Sequence, residues 1–272
     1  MSENSELKKL EQIISTFIEK ARLELKERWE KWAIDLDKNE VHEVVGALLA
    51  RQVTLARQIA ESPSIWNGHT APIILRAMAD AYITLAWILK EPLERSRKFI
   101  LYGIGQAKLQ LEHRKTQIVG REPTPEEKRL IEASETWINT QRFTFLTEVN
   151  VGSWSGIATR QMAEEADCVE FYNYVYNPFS ACAHSMWHHL ARYNLRQCAN
   201  PLHRYHQAPE DYELPIDPYN FYLAGKYLQK SFKAFDNKFA IKVSGGSAYE
   251  YLCAELEKLS NVETASNESA DA

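Results

Sequence analysis

A chain of 272 residues can form one large domain that buries roughly 70–75% of its unfolded surface, so it needs neither disulfides nor a metal to fold. Ten glycines are about half the usual share, which implies few turns and long helical elements, and excludes collagen-like, low-complexity and disulfide-scaffold chains. The balance of 32 Lys and Arg against 37 Asp and Glu leaves a net charge of −5 and no overall basic footprint for nucleic acid.

Residues 5–38 read as a long, highly charged helix. Leu7, Leu10, Ile14, Phe17 and Ala21 recur at helical spacing, and Leu25, Trp29, Trp32 and Leu36 continue the stripe with a shift. Such a narrow stripe either pairs with another chain or lies across the core. The polar N-terminus lacks the apolar stretch of a signal peptide. Cys168, Cys182, Cys198 and Cys253 show no CxxC spacing and read as reduced thiols. No apolar run of about 18 residues is evident, so the expectation is a cytoplasmic protein without a membrane partner.

Residues 39–61 form a second helix with Val44, Leu48, Leu55 and Ile59 inward, stopped by Ser62-Pro63-Ser64. The next helix, Pro72 to Lys90, is apolar nearly all round, which places it at the centre of the fold. Arg76 and Asp80 are its only charges between Ala71 and Leu89, one turn apart on one side. A helix from Pro92 to about Ile118 follows. Thr124-Pro125-Glu126-Glu127 has capping-box spacing and opens a helix expected to end near Asn150. Trp66-Asn67-Gly68-His69 and the segment around Trp154 are turns with an anchoring aromatic.

A short helix (158–166), a long one (168–197), an irregular segment up to Pro218, and helices at 219–237 and 247–260 complete the reading. No strand pattern is evident. The division is 1–38, a charged amphipathic helix; 39–245, the bundle; and 246–272, a short helix with a disordered acidic tail from Asn261. The fold class is all-α, a multi-helix bundle of about eight helices with a long N-terminal helix.

In the long helix Tyr172, Tyr176, Ser180, His184 and His188 sit four apart and form one stripe, with Pro178 expected to kink it. The bland account is a tyrosine-rich core face and a structural Arg76–Asp80 ion pair. The functional account joins the two: Asp80 holds Arg76, whose remaining donors take an external anion, and His184 moves a proton. His184-x3-His188 could also hold two imidazoles on one metal, but Ser185 stands where a metalloprotease helix carries Glu. Local charge adds a further element. Residues 97–121 carry six Lys or Arg and one acid, and residues 184–209 carry three Arg and five His with no acid. Adjoining, these would form a basic face for RNA phosphate.

The run Ile74-Leu75-Arg76 through Asp80-Ala81-Tyr82, followed by Trp154 and then Tyr172-x3-Tyr176-x3-Ser180-x3-His184, resembles an uncharacterised bacterial helical family over roughly residues 45–195. Members carry an Arg-x3-Glu helix and a later Tyr-x3-Ser-x3-His helix; here Asp80 replaces the Glu. At the level of bundle and composition that family is similar to the HEPN superfamily of helical dimers, many of them metal-independent ribonucleases of toxin and phage-defence systems. Their signature is an Arg, then four to six intervening residues, then His, on one helix. The stretch Arg196 to His203 has that spacing but is interrupted by Pro201, which makes Arg196 and His203 rivals to Arg76 and His184.

The family resemblance implies a shared site and the HEPN likeness a metal-independent ribonuclease. Joined to the residues' own functional account, the expectation is a homodimer that cleaves RNA without cofactor or metal, using His184 as acid/base, Arg76 for phosphate, Asp80 to position Arg76, and Tyr176 and Ser180 beside them. Two alternatives stand beside it: a non-enzymatic assembly module that meets a protein partner through the N-terminal helix, and a metal-dependent hydrolase or small-ligand binder.

Overall fold

The computed structural model describes residues 3–141 and 152–268. These form an all-α bundle in which α1 (Glu3–Lys31), α2 (Asn39–Ala60), α3 (Ala71–Lys90), α10 (Tyr219–Phe239) and α11 (Ala248–Glu268) share one hydrophobic core. Helix α3 is central, packed on α2, α10, α6 (Thr159–Glu165) and α8 (Asn177–Ala183). Leu75, Met78, Ala79, Ile83, Leu85 and Ile88 on it are fully buried. By length and composition alone α3 is long and apolar enough to cross a membrane, with mean hydropathy 1.4, contrary to the expectation that no such run exists. Its hydrophobicity is that of a helix enclosed on several sides.

Helix α1 lies across the core, the second of the two arrangements its stripe allowed. Ile13, Phe17 and Ala21 are buried, and the Phe17 ring meets Phe221 edge-on at 4.9 Å. Two turns further on, Arg28 is buried in an ionic network. It forks onto Asp236 through Nε at 2.9 Å and Nη2 at 2.7 Å, and its Nη1 meets Glu24 Oε2 at 3.0 Å. Glu24 Oε1 in turn accepts the Ala248 N–H at 2.6 Å, so one guanidinium ties together α1, α10 and α11. Burial nonetheless pushes the Glu24 carboxyl above its usual range, against the pull of the Ala248 amide and Arg28.

The two aromatic turns anchor as expected. Trp66 is 1% exposed, donates to the Ile59 carbonyl at 2.6 Å and stacks on Phe221; Trp154 meets Trp87 and Phe99 edge-on. Helix α4 spans Pro92–Gln117, and the capping box opens α5 (Pro125–Thr140), with Thr124 and Glu127 bonded reciprocally. That helix stops at Thr140; its expected continuation to Asn150 falls on residues 142–151, outside the described residues. At the other end, α11 runs past the expected limit of 260 to Glu268, because residues 259–268 contain no Gly or Pro to stop it.

The expected long helix at 168–197 is broken into pieces. It comprises α7 (Val169–Phe171), a π-helical turn (Tyr172–Tyr176), α8, and α9 (Trp187–Tyr193). The kink expected at Pro178 takes the form of that π turn, whose wider ring leaves room for a residue without an N–H. The second break is sharper. Ser185 adopts φ 49°, the Ser185 N–H bonds the Cys182 carbonyl, and the Met186 N–H bonds the Ala181 carbonyl at 2.9 Å, a helix-ending pattern usually built on glycine. Beyond α9 the irregular segment contains a small antiparallel hairpin, β1 (Leu195–Gln197) with β2 (Gln207–Pro209). No strand was expected there, since three-residue strands are too short to show alternation.

Candidate functional site

Arg76 projects from α3 toward the π turn and α8, and is 8% exposed. Its Nε donates to Ser180 Oγ at 2.8 Å, and Ser180 Oγ donates to the Tyr176 carbonyl at 2.8 Å. Nη1 forms an ion pair with Asp80 Oδ2, one helical turn along. The guanidinium carbon sits 3.2 Å from the centre of the Tyr176 ring, which itself stacks on Tyr172 at 4.8 Å. The Tyr176 hydroxyl reaches Thr159 Oγ1 on α6 at 3.3 Å. Two edges and one face of Arg76 are therefore fixed from three segments of chain, with α6 supporting Tyr176 behind them. Nη2 has no acceptor among the described residues.

The π turn explains why this succeeds. It sets the Tyr176 ring flat against the guanidinium while α8, restarting behind it, carries Ser180 to Nε. The Asp80 side chain is half-exposed. Partial burial raises its carboxyl above the usual range, opposed by the charge and hydrogen bond of Arg76, by Tyr176 and by the charge of His184. His184, exposed, caps the end of α8, its N–H on the Ser180 carbonyl at 3.0 Å.

Arg76, Asp80, Tyr176 and Ser180 are thus brought into one cluster, with His184 acting on Asp80 through its charge. The break at Ser185 separates His184 from His188, so the helical spacing that would set both on one metal is interrupted. Arg196 and His203 do not share a helix. Arg196 lies on β1 and pairs with Glu210 at 2.5 Å, and His203 lies in the hairpin loop. Half of the basic run at 97–121 is paired with carboxylates: Arg97 meets Glu40, Lys115 meets Glu112 and Glu135, and Arg121 meets Glu127, while Lys98 donates to the Ser155 carbonyl and keeps its charge.

Sequence reasoning missed three features. Thr159 supports Tyr176. A cavity of about 760 Å³ between α3 and α10 is lined by Lys90, Lys226, Lys230, Lys233 and Lys238 with no acid among the lining residues, and does not include Arg76 or His184. Lysines 226, 230 and 233 recur at helical spacing, a signal available in the sequence. Finally, Cys198, His203 and His206 converge in the hairpin loop; their spacing matches no familiar ligand motif.

The architecture is that of an all-α bundle protein with an arginine-centred polar cluster between its central helix and a π-interrupted helix. The chain belongs to a family of unknown function (DUF5677), whose profile matches residues 42–200, more than half of its length, including the whole arginine cluster. No curated protein and no solved structure matches the chain.

Proposed function

We propose that the Arg76 cluster is the reaction centre of a metal-independent ribonuclease. The observation that carries this reading is the state of Arg76. Three protein contacts hold the guanidinium while one amino group keeps its donors uncommitted among the described residues, beside the half-exposed Asp80 carboxylate, and the exposed His184 follows at the end of α8. A fixed cation needs no reorganisation to stabilise charge that develops on a phosphate.

The chemistry would run as an internal transfer. The 2′-oxygen attacks phosphorus, the bond from phosphorus to the 5′-oxygen breaks, and a 2′,3′-cyclic phosphate forms. His184 and Asp80 are the two proton-carrying groups: one takes the 2′-hydroxyl proton and the other gives a proton to the leaving 5′-oxygen. Ser180 and Tyr176 orient the guanidinium. The lysine-lined cavity supports RNA as the substrate class, since clustered lysines on a net-acidic protein provide a local site for a phosphate backbone. Oligonucleotides cleaved in EDTA should yield cyclic-phosphate ends, and a single 2′-deoxy substitution at the scissile position should block the cut. Cleavage of the deoxy substrate, or none of the RNA, overturns the proposal.

One observation favours a second reading, a non-enzymatic assembly module. Leu7 and Leu23 on α1 are 57% and 55% exposed, apolar positions on the N-terminal helix open to a protein partner or a second copy of the chain. That reading predicts that Arg76→Ala leaves association intact while the protein remains folded.

A further inference from the structure

We infer that the loop of the β1–β2 hairpin is a metal site for a zinc-class ion, held by Cys198, His203 and His206. This inference is independent of the ribonuclease reading. One ligand atom from each residue lies within 4.8 Å of the others. With metal–sulfur bonds of about 2.3 Å and metal–nitrogen bonds of about 2.05 Å, tetrahedral geometry puts sulfur and nitrogen about 3.6 Å apart and two nitrogens about 3.3 Å apart. Cys198 Sγ already stands 3.7 Å from His203 Nδ1, the length of one such edge. The third ligand atom, on His206, lies within 4.8 Å of the other two and closes the triangle by moving inward.

The backbone prepares the arrangement. The Cys198 N–H bonds the His206 carbonyl at 3.1 Å, and the His206 N–H bonds the His203 carbonyl at 2.9 Å, folding the loop back on its own start. The His203 and His206 rings stand 5.6 Å apart and nearly perpendicular. His203 Nδ1 is the nitrogen that faces the thiol; with a metal there, Nε2 carries the ring proton, and the Asn200 amide, whose Nδ2 lies 3.2 Å away, turns so that its oxygen accepts it. Binding releases the Cys198 proton, and the imidazoles bind neutral. A thiolate with two imidazoles selects a borderline or soft ion over Mg²⁺ or Ca²⁺. The fourth corner falls to water or to an incoming donor. A hairpin of three-residue strands is marginal alone, and the ion would clip its loop shut. The family match ends at residue 200, so it includes Cys198 but neither histidine.

The test titrates the full-length protein with Zn²⁺, and with Co²⁺ as a spectroscopic probe. The inference expects one ion per chain, a thiolate-to-cobalt charge-transfer band, no competition from Mg²⁺, and amide-exchange protection confined to residues 195–209. Cys198→Ser should abolish the band and weaken Zn²⁺ binding at least about 100-fold, beyond the range for merely supporting residues. His203→Ala and His206→Ala should each weaken it comparably, while Cys182→Ser and Cys253→Ser leave it unchanged. The exposed loop allows these variants to keep the helical circular dichroism of the wild type. Absence of stoichiometric binding, or a cobalt band that survives Cys198→Ser, overturns the inference.

Discussion

Replacing Arg76 and replacing Asp80 should have very different consequences, although the two residues form one ion pair. Arg76→Met keeps the aliphatic stem but loses the charged bond to Ser180, the contact with Tyr176 and the pair with Asp80. A hydrogen bond from a buried cation, a partly desolvated cation–π contact and a half-exposed ion pair sum to about 2–4 kcal/mol. For a chain of this size that lowers Tm by roughly 5–15 °C. Asp80→Asn keeps an acceptor for Nη1 and removes a carboxylate that its surroundings already disfavour in the ionised form, so it should cost no more than about 1 kcal/mol.

The sign of the pH effect follows from the same shift. The folded state holds the Asp80 proton to higher pH than the unfolded chain, so the penalty on the ionised form is present above the folded pKa. It disappears as pH falls below the ordinary value of 3.8. Any advantage of Asp80→Asn is therefore present at neutral pH and gone in acid. Urea titrations of both variants at neutral and acidic pH provide the assay. Equal losses for the two substitutions, or no measurable loss in Arg76→Met, would refute the reasoning.

Three further outcomes test the fold. Arg28→Met strands the buried Glu24 without its cation and should cost about 3–5 kcal/mol in denaturant unfolding; a neutral result would mean that the network contributes nothing. Ser185→Gly relieves a left-handed backbone at an exposed position and should stabilise by about 1 kcal/mol, read as a small rise in Tm. Hydrogen bonds from Lys31 and from the Ser244 amide and hydroxyl hold the Glu27 carboxyl down at about 2, against an ordinary 4.5. The stability lost in Glu27→Gln should be complete above pH 4.5 and vanish as pH falls through about 2, followed by thermal melts across that window.

The central helix and its anomaly were legible in the sequence because an apolar run admits a charged pair only for a reason. Arg76 and Asp80 stood out on those grounds, and the four-residue stripe of Tyr176, Ser180 and His184 supplied partners from over a hundred residues away. What could not be read was the path of the chain between those residues. Ser185 takes a left-handed conformation that sequence normally signals with Gly or Asn, so nothing marked the end of α8 or the loss of the His184–His188 spacing. The basic run at 97–121 gave no sign that Glu40 and Glu135, on other helices, would pair with it. Cys198, His203 and His206 meet only through a hairpin whose strands carry Leu-Arg-Gln and Gln-Ala-Pro, with no periodicity to announce a sheet.

Under the ribonuclease proposal, the fixed Arg76 guanidinium and the His184 imidazole together process RNA without a metal ion. Single-turnover cleavage of an RNA oligonucleotide in EDTA, by wild type and by His184→Ala, tests it most directly. The account predicts a fall of roughly 10²–10⁴-fold in the variant with unchanged helical circular dichroism. Equal rates for the two proteins would contradict it.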